Sequence, residues 1–294
     1  MNGMISAMTA MLGIVPYFVA ALAVFLVGKY LFDLSTPRIA DDSELTAKDN
    51  PAFGVLWGGY MLGLALAVAA TFSSLGPSVW DNVRDLGTSG LAAILLMRLS
   101  MLLGEKLLLR GLRLDSQITA ERNMGAAFAF AGLMVANGLV IAGVMRGRSD
   151  TYLMELLDIV VYWAAGQAFL ALAWLFFRLV SRFDARADLG EGKNAAAGVS
   201  VCGFFVAAGI VLEAALAGAG SDIGAELLIA LAIGLSGLVL LAAARALTAL
   251  VLLPGANLAD EVSRQGNVAA GIVSAVGSVA TALIFAALVR SQLG

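Results

Sequence analysis

The sequence predicts an all-α, polytopic membrane protein with eight transmembrane helices in two parallel four-helix repeats, each made of two helix-pair units. Composition is the first reason: 61% of the residues are hydrophobic and 13% are charged, whereas charged residues make up about a quarter of a soluble protein. The second reason is that the long apolar runs are apolar on every face, which favours helices over the alternating pattern of a membrane barrel. The third is a short pattern around an asparagine that recurs four times.

Eight runs are long enough to cross a hydrocarbon core, which takes about 20 helical residues. They lie near residues 12–33, 52–74, 87–110, 124–145, 153–181, 195–218, 224–252 and 268–290. The longest polar connections, near residues 34–50 and 110–123, are too short to bury a core of their own. We therefore expect no soluble domain among the spans.

The repeat is marked by four asparagines that are 73, 71 and 73 residues apart: Asn50, Asn123, Asn194 and Asn267. An acidic residue or a glutamine stands six positions before each one: Glu44, Gln117, Asp188 and Glu261. A period of this length indicates a repeat architecture, and units that cross the membrane twice all have the same orientation. We place the two four-helix repeats at residues 1–149 and 150–294. Because small residues mark close helix packing in lipid, we expect the even-numbered, glycine-rich spans at the centre and the bulkier odd-numbered spans against lipid.

Lysine and arginine predict the orientation. The connections after the odd-numbered spans hold most of them, including Lys48, Arg122 and Arg264, whereas the opposite side is richer in acids such as Asp81 and Asp85. Because positive residues resist translocation, we expect the asparagine motifs on the cytoplasmic side and both termini outside.

Two segments contain similar residues in a similar order. Residues 31–67 hold Thr36, Pro37, Glu44, Asn50, Ala52 and a glycine run from Gly58 to Gly63, and residues 252–277 hold Pro254, Gly255, Glu261, Asn267, Ala269 and Gly271. Both segments resemble signature elements of the YjfL-type family, bacterial inner-membrane proteins with four helices. The resemblance implies two tandem copies, at about residues 12–147 and 153–294, in the bacterial cytoplasmic membrane. It implies no particular function, since the family has no established activity; its members are often described beside envelope-stress and polyamine-synthase-like genes.

The four asparagines have two interpretations besides a role in docking protein partners on their face of the protein. Each amide oxygen is able to cap the helix that follows it, with the neighbouring small residues packing. Alternatively, four helix N-termini that converge near one axis would form a binding site for an anion or a carbonyl-bearing solute. The acids Glu44, Asp188 and Glu261 either pair with Lys48, Lys193 and Arg264, or form an acidic ring that attracts cations at a cytoplasmic mouth.

Polar side chains inside the spans are the remaining candidates, because ionisable groups at membrane depth are costly and usually functional. They are Arg98, Glu105, Glu213, Arg245 and Asn137, joined by Gln167. Structural ion pairs and side chains that reach back to the interface are the competing interpretation.

Enzyme chemistry is not expected. The sequence has no histidine and a single cysteine, Cys202, so the commonest general base and metal ligand is absent, and we predict no cofactor and no metal. Two functions remain: a conduit for an ion or small polar solute, which converging polar termini favour, and a scaffold or envelope-stress-linked partner protein without transport activity, which tight glycine packing favours. Expected partners are the lipid bilayer, a second copy of the chain and a cytoplasmic protein at the asparagine-motif face, with no role for nucleic acid.

Overall fold

The computed structural model describes residues 2–36, 42–146, 152–217, 222–252 and 254–293. Within this part of the chain, eight helices are long and apolar enough to cross a membrane. They are α1 (Asn2–Ser35), α2 (Pro51–Ala70), α3 (Val79–Leu103), α4 (Met124–Val144), α5 (Tyr152–Val180), α7 (Ala195–Leu216), α8 (Ile223–Leu252) and α10 (Val268–Leu293). Short helices α6 (Ala185–Leu189) and α9 (Leu258–Ser263) lie in the connections. The eight predicted spans are confirmed, and Pro37 of the family signature lies outside the described residues.

Two helices begin earlier than their predicted spans. Helix α1 begins at Asn2 rather than near residue 12. Helix α3 begins at Val79 rather than near residue 87, because Ser78 accepts a hydrogen bond from the backbone N–H of Asp81 and so caps the helix earlier in a polar stretch. Its far end continues as a π-helical turn over Gly104–Leu108, which carries the chain to the connection that precedes α4.

The four small-residue helices form a row in the order α2, α4, α7, α10, here called the core row. Glycines let neighbouring backbones meet directly. A methyl group added at Gly59 would lie 2.5 Å from the Cα of Ala131, and one added at Gly209 would lie 2.6 Å from the Cα of Ala136. Packing of this kind replaces the hydrophobic effect as the force that associates helices in lipid.

Three of the bulkier helices lie along the core row, each in the groove between two neighbouring core helices. Helix α3 packs against α2 and α4, α5 against α4 and α7, and α8 against α7 and α10. Helix α1 is different, because it packs against α2 and α3 and has no second core helix beside it. Its span is accordingly the least buried, at 11%.

The expected central position of the even-numbered spans is therefore right for α4 and α7 and wrong for α10. The spans of α4 and α7 are 89% and 78% buried, whereas that of α10 is 22% buried. The units follow one another in a row, so α2 and α10 occupy its two ends instead of meeting around a common axis.

Candidate functional site

The asparagine motifs share one backbone geometry. In each, the asparagine N–H donates to the carbonyl six residues earlier, with distances from 2.8 to 2.9 Å. The residue just before the asparagine has a left-handed φ of 45° to 62° in all four cases: Asp49, Arg122, Lys193 and Gly266. Only the last of these is a glycine, the residue type that adopts this conformation without strain. This turn places each asparagine side chain beside the start of the helix that follows, with its amide group also directed to the side of that helix.

All four asparagines cap the core helix that follows. The Oδ1 of Asn50 accepts from the N–H groups of Ala52 and Phe53 at 3.1 and 3.3 Å. The other three make the same kind of bond to the first turns of α4, α7 and α10. The capping interpretation of the sequence is thus the observed geometry.

The amide nitrogens of the first three asparagines reach the next unit along the row. The Nδ2 of Asn50 donates to the carbonyl of Ile118 at 2.9 Å, and that of Asn123 donates to the carbonyl of Leu189 at 2.7 Å. Asn194 does the same toward the carbonyls of Val262 and Ser263 at 2.8 and 3.0 Å. Each of these side chains joins a helix start to the neighbouring unit, and we call the bond a latch.

Asn267 belongs to the fourth unit, and the structure describes no further unit for it to latch. Its Nδ2 donates to the Oε2 of Glu261 at 2.8 Å, within its own motif. Its side chain is partly exposed, whereas Asn50 and Asn123 are 3% and 1% exposed. The tail end of the row therefore has a latch residue without a latch partner.

The first unit, at the head end of the row, lacks the complementary contact. The residue five positions before each asparagine carries the latched carbonyl or its equivalent. Ile118, Leu189 and Val262 at this position are fully buried, whereas Leu45 of the first unit is 37% exposed. Leu45 thus has the sequence position of a latched residue and lies open.

Two of the acids before the asparagines bond within their own motifs. Glu44 is buried, binds Lys48 at 2.5 Å and accepts from Asn50 at 2.7 Å. Burial by itself raises the pKa of the Glu44 carboxyl, but the bonds from Lys48 and Asn50, together with the positive charges of Lys48 and Arg122, lower it by more, so its pKa lies below the ordinary value. Glu261 binds Asn267 in the same manner.

Two of the three ion pairs expected from sequence are wrong. Lys193 pairs with Glu121 of the preceding unit at 3.1 Å, and Arg264 pairs with Asp260. Asp188 offers its backbone carbonyl to the N–H of Asn194, while its Oδ2 is buried without a hydrogen-bond partner in the described part of the chain. These acids shape the turns, and the linear order of the units keeps them apart.

Two tandem copies account for this geometry. The model of a domain of unknown function, DUF350, matches residues 6–145 and again residues 151–289. The chain belongs to the DUF350 family. The expected tandem of an uncharacterised four-helix membrane family is confirmed. No match was found among curated proteins or among solved structures.

The two DUF350 copies use their intramembrane arginines differently. In the first copy, Arg98 lies over the ring of Phe32 at 5.4 Å and donates to the sulfur of Met101. In the second copy, Arg245 lies over the ring of Phe177 at 4.9 Å. Arg245 also donates from Nη1 to two serine hydroxyls, which makes it the centre of a buried polar cluster.

The other intramembrane candidates join helices. Glu213 of α7 is buried and pairs with Arg146, just after α4, and with Arg290 of α10, so one carboxylate connects three core helices. Asn137 of α4 accepts from Gln167 of α5 at 2.6 Å, fully buried. Glu105 accepts from the backbone N–H of Leu114 at 3.1 Å and is not bonded to Arg98 in the described contacts.

Sequence reasoning missed two parts of the site. It did not find the latch, although an apolar residue five positions before every asparagine was a visible signal. It also did not connect Arg245 with Ser200 and Ser274, because these serines lie on two helices that are far from Arg245 in sequence. Serine in a small-residue helix looks like a packing residue until its neighbour is known.

Proposed function

We propose that this DUF350 protein is a membrane scaffold that assembles end to end, and that it does not conduct solute through its core row. The observation that carries the proposal is the unused latch at Asn267, together with the open head end at Leu45. The alternative expected from sequence, a conduit along the central axis, is less well supported, because the core helices meet through backbone atoms and the four asparagines are engaged as caps.

The helix faces at the two ends support the same conclusion. Inside the row, glycines nine positions after the asparagine meet a small residue eight positions after the next asparagine, as Gly59 meets Ala131. At the tail the equivalent residue is Val276, which is 60% exposed. At the head the equivalent residue is Gly58, where an added Cβ would meet nothing within 4 Å. In an end-to-end contact, Val276 at the tail of one copy would face Gly58 at the head of the next, and the small size of Gly58 leaves space for Val276.

Helix α1 offers a further point of continuity. The helices equivalent to it, α3, α5 and α8, each pack against two core helices, whereas α2 is the one core helix against which the described part of α1 packs closely. The exposed side of α10 from a second copy would supply the missing one. A contact of this kind joins different surfaces of the two copies, so it either closes into a ring or extends as a filament.

All copies in such an assembly would have one orientation in the membrane, as the four units within a chain do. The basic residues beside the asparagine motifs favour the cytoplasmic side for those motifs. We further propose the bacterial cytoplasmic membrane as the location and both termini outside. A reporter fused after residue 294 that proved cytoplasmic would refute the orientation.

Cysteine cross-linking tests the end-to-end contact. In a Cys202→Ser background, Val276→Cys and Gly58→Cys in the same chain should give cross-linked multimers in native membranes, because interior pairs at these positions are within contact distance. Either substitution alone should give none, since two tails or two heads do not meet. Val276→Cys combined with Leu95→Cys is the matched control, because Leu95 is a 54% exposed residue on α3, away from both ends.

Cross-linking of the control pair to the same extent, or none in the end-to-end pair, would refute the assembly. Vesicles containing the purified protein should be no more permeable to ions than protein-free vesicles. Permeability that is present in the wild type and lost on Asn267→Ala, with folding intact, would instead favour the conduit.

A further inference from the structure

A cavity of about 760 Å³ lies on the same side of the membrane as the asparagine motifs. It is bordered by the end of α5, the second half of α8 and the chain that enters α9. Its walls are mainly apolar, with Leu179, Ala246 and Leu250 among them, and its polar border includes Arg182, Arg245 and Asn257. Among the described residues that line it, the two arginines are the charged ones, so the cavity has a positive border and an apolar wall. Its described lining includes none of the residues that mark the ends of the core row, which are Leu45, Gly58, Asn267 and Val276.

Arg245 is buried and short of an anion. Its side chain is 7% exposed, and its Nη1 donates to Ser200 and Ser274 at 3.1 and 2.8 Å. The rings of Phe177 and Phe183 lie 4.9 and 6.0 Å from its guanidinium carbon. Its Nη2 is buried without a hydrogen-bond partner, and no carboxylate pairs with it in the described part of the chain.

Such an environment does not balance a buried charge. Hydroxyl groups and aromatic faces are neutral, and they offset only part of the penalty of removing a guanidinium from water. Buried charges in proteins are usually paired with an opposite charge. The planar guanidinium is suited to bind two oxygens of a phosphate or a carboxylate at once.

The polar cluster is not required by the DUF350 fold. In the first copy, the residues 144 positions before Ser200 and Ser274 are Leu56 and Phe130, and both are fully buried. The first copy therefore closes this region with apolar side chains. The second copy instead has an arginine that borders a cavity and bonds to a buried hydroxyl pair behind it, an arrangement more typical of a binding site than of core packing.

We propose that this cavity binds the oxyanion headgroup of an anionic membrane amphiphile, with the headgroup on Arg245 and Arg182 and the acyl chain along Leu179 and Leu250. The volume supports a headgroup over a single ion, since it equals that of about 25 water molecules at about 30 Å³ each. Arg182 lies at the exposed edge, where it is able to meet the headgroup as it enters from the interface.

Native mass spectrometry of the protein released from detergent tests the proposal. The probe is phosphatidylglycerol, compared with phosphatidylcholine of the same chain length. The wild type should retain phosphatidylglycerol in preference, and Arg245→Gln should weaken its binding by about tenfold to a hundredfold, the usual effect of removing a charge-assisted hydrogen bond. Arg98→Gln is the matched control, because it removes the intramembrane arginine of the first copy, which does not line this cavity, and should leave binding unchanged.

A second variant protects the test against misfolding. Arg182→Gln changes an exposed side chain, so it should leave the melting temperature unchanged and still weaken phosphatidylglycerol binding several-fold. A third arm adds inorganic phosphate alone: protection against thermal unfolding that is lost in Arg245→Gln would keep the oxyanion site and overturn the part assigned to the acyl chain. Equal binding of the two lipids by the wild type, or equal phosphatidylglycerol binding by wild type and both variants, would overturn the proposal.

Discussion

The latch predicts graded losses of stability when three helix-capping asparagines, of which two belong to the repeated motif, are replaced by alanine. Asn257 caps the short helix α9 through Ala259 and Asp260. Asn267 caps α10 and also binds Glu261. Asn123 caps α4, binds Gln117, and in addition donates to the buried carbonyl of Leu189 at 2.7 Å and to the partly buried carbonyl of Gly190 at 3.2 Å. The three side chains thus differ by one layer of contacts at a time.

The magnitudes follow from those layers. Loss of a cap costs about 1 kcal/mol, so Asn257→Ala should lower the free energy of unfolding by about that amount or less. Asn267→Ala also removes one partly buried hydrogen bond, for a total loss of about 1–2 kcal/mol. Asn123→Ala also removes the donor to the buried carbonyl of Leu189 and the partly buried carbonyl of Gly190, which brings the expected loss to about 3–4 kcal/mol. The difference of about 2 kcal/mol between the last two variants measures the latch.

The assay is unfolding of the monomeric protein in mixed micelles by increasing fractions of sodium dodecyl sulfate, followed by the fluorescence of the four tryptophans. Dilute, monomeric protein is needed because Asn267 would gain a latch in an end-to-end assembly. Equal losses for Asn123→Ala and Asn267→Ala would refute the latch as a stabilising contact. A loss for Asn257→Ala as large as that for Asn123→Ala would show that capping alone explains the series.

Three further outcomes are expected. Gly138→Ala should destabilise the fold by about 1–3 kcal/mol, because the new methyl group overlaps the carbonyl oxygen of Gly63 on the neighbouring core helix. Gly87→Ala, at an open position on α3, should not destabilise it. Unfolding in mixed micelles compares the two variants, and equal effects would count against backbone contact in the core row. Glu213→Gln should cost about 1–3 kcal/mol in the same assay by leaving two arginines without their shared carboxylate, and an unchanged stability would mean that water serves those arginines equally well. Because the pKa of Glu44 is lowered in the folded state, its contribution to the free energy of unfolding is present above the unfolded pKa of about 4.3 and is lost as the pH falls through the folded value. The melting temperature of the wild type should therefore fall more steeply below about pH 4.3 than that of Glu44→Gln. Parallel curves for the two proteins would contradict this.

Much of the fold could be predicted because its signals are local. Hydrophobic runs give the eight spans, and the spacing of the asparagines gives the units. The caps follow from the preference of asparagine for helix starts. These features depend on residues close together in the sequence, so no knowledge of the tertiary structure is needed to find them.

The order of the units in space could not be predicted in the same way. Four equivalent motifs fit a ring around one axis as well as a row, and the choice depends on the angle between neighbouring core helices. That angle results from backbone contacts such as those of Gly59 with Ala131. The binding cluster was hidden for a related reason, since Arg245 meets Ser200 and Ser274 only after α7, α8 and α10 have packed together.

The row has a consequence for how the molecule gains and loses cooperativity. Each inner unit contacts mainly the unit before it and the unit after it, so stability should be close to a sum of unit terms and nearest-neighbour terms, as in soluble solenoid proteins. The last unit has a single interface, and the amides of α10 should exchange their hydrogens with solvent faster than those of α4. A helix pair could also be added or lost at either end during evolution without repacking the interior, and this gives a physical reason why a four-helix domain was free to double.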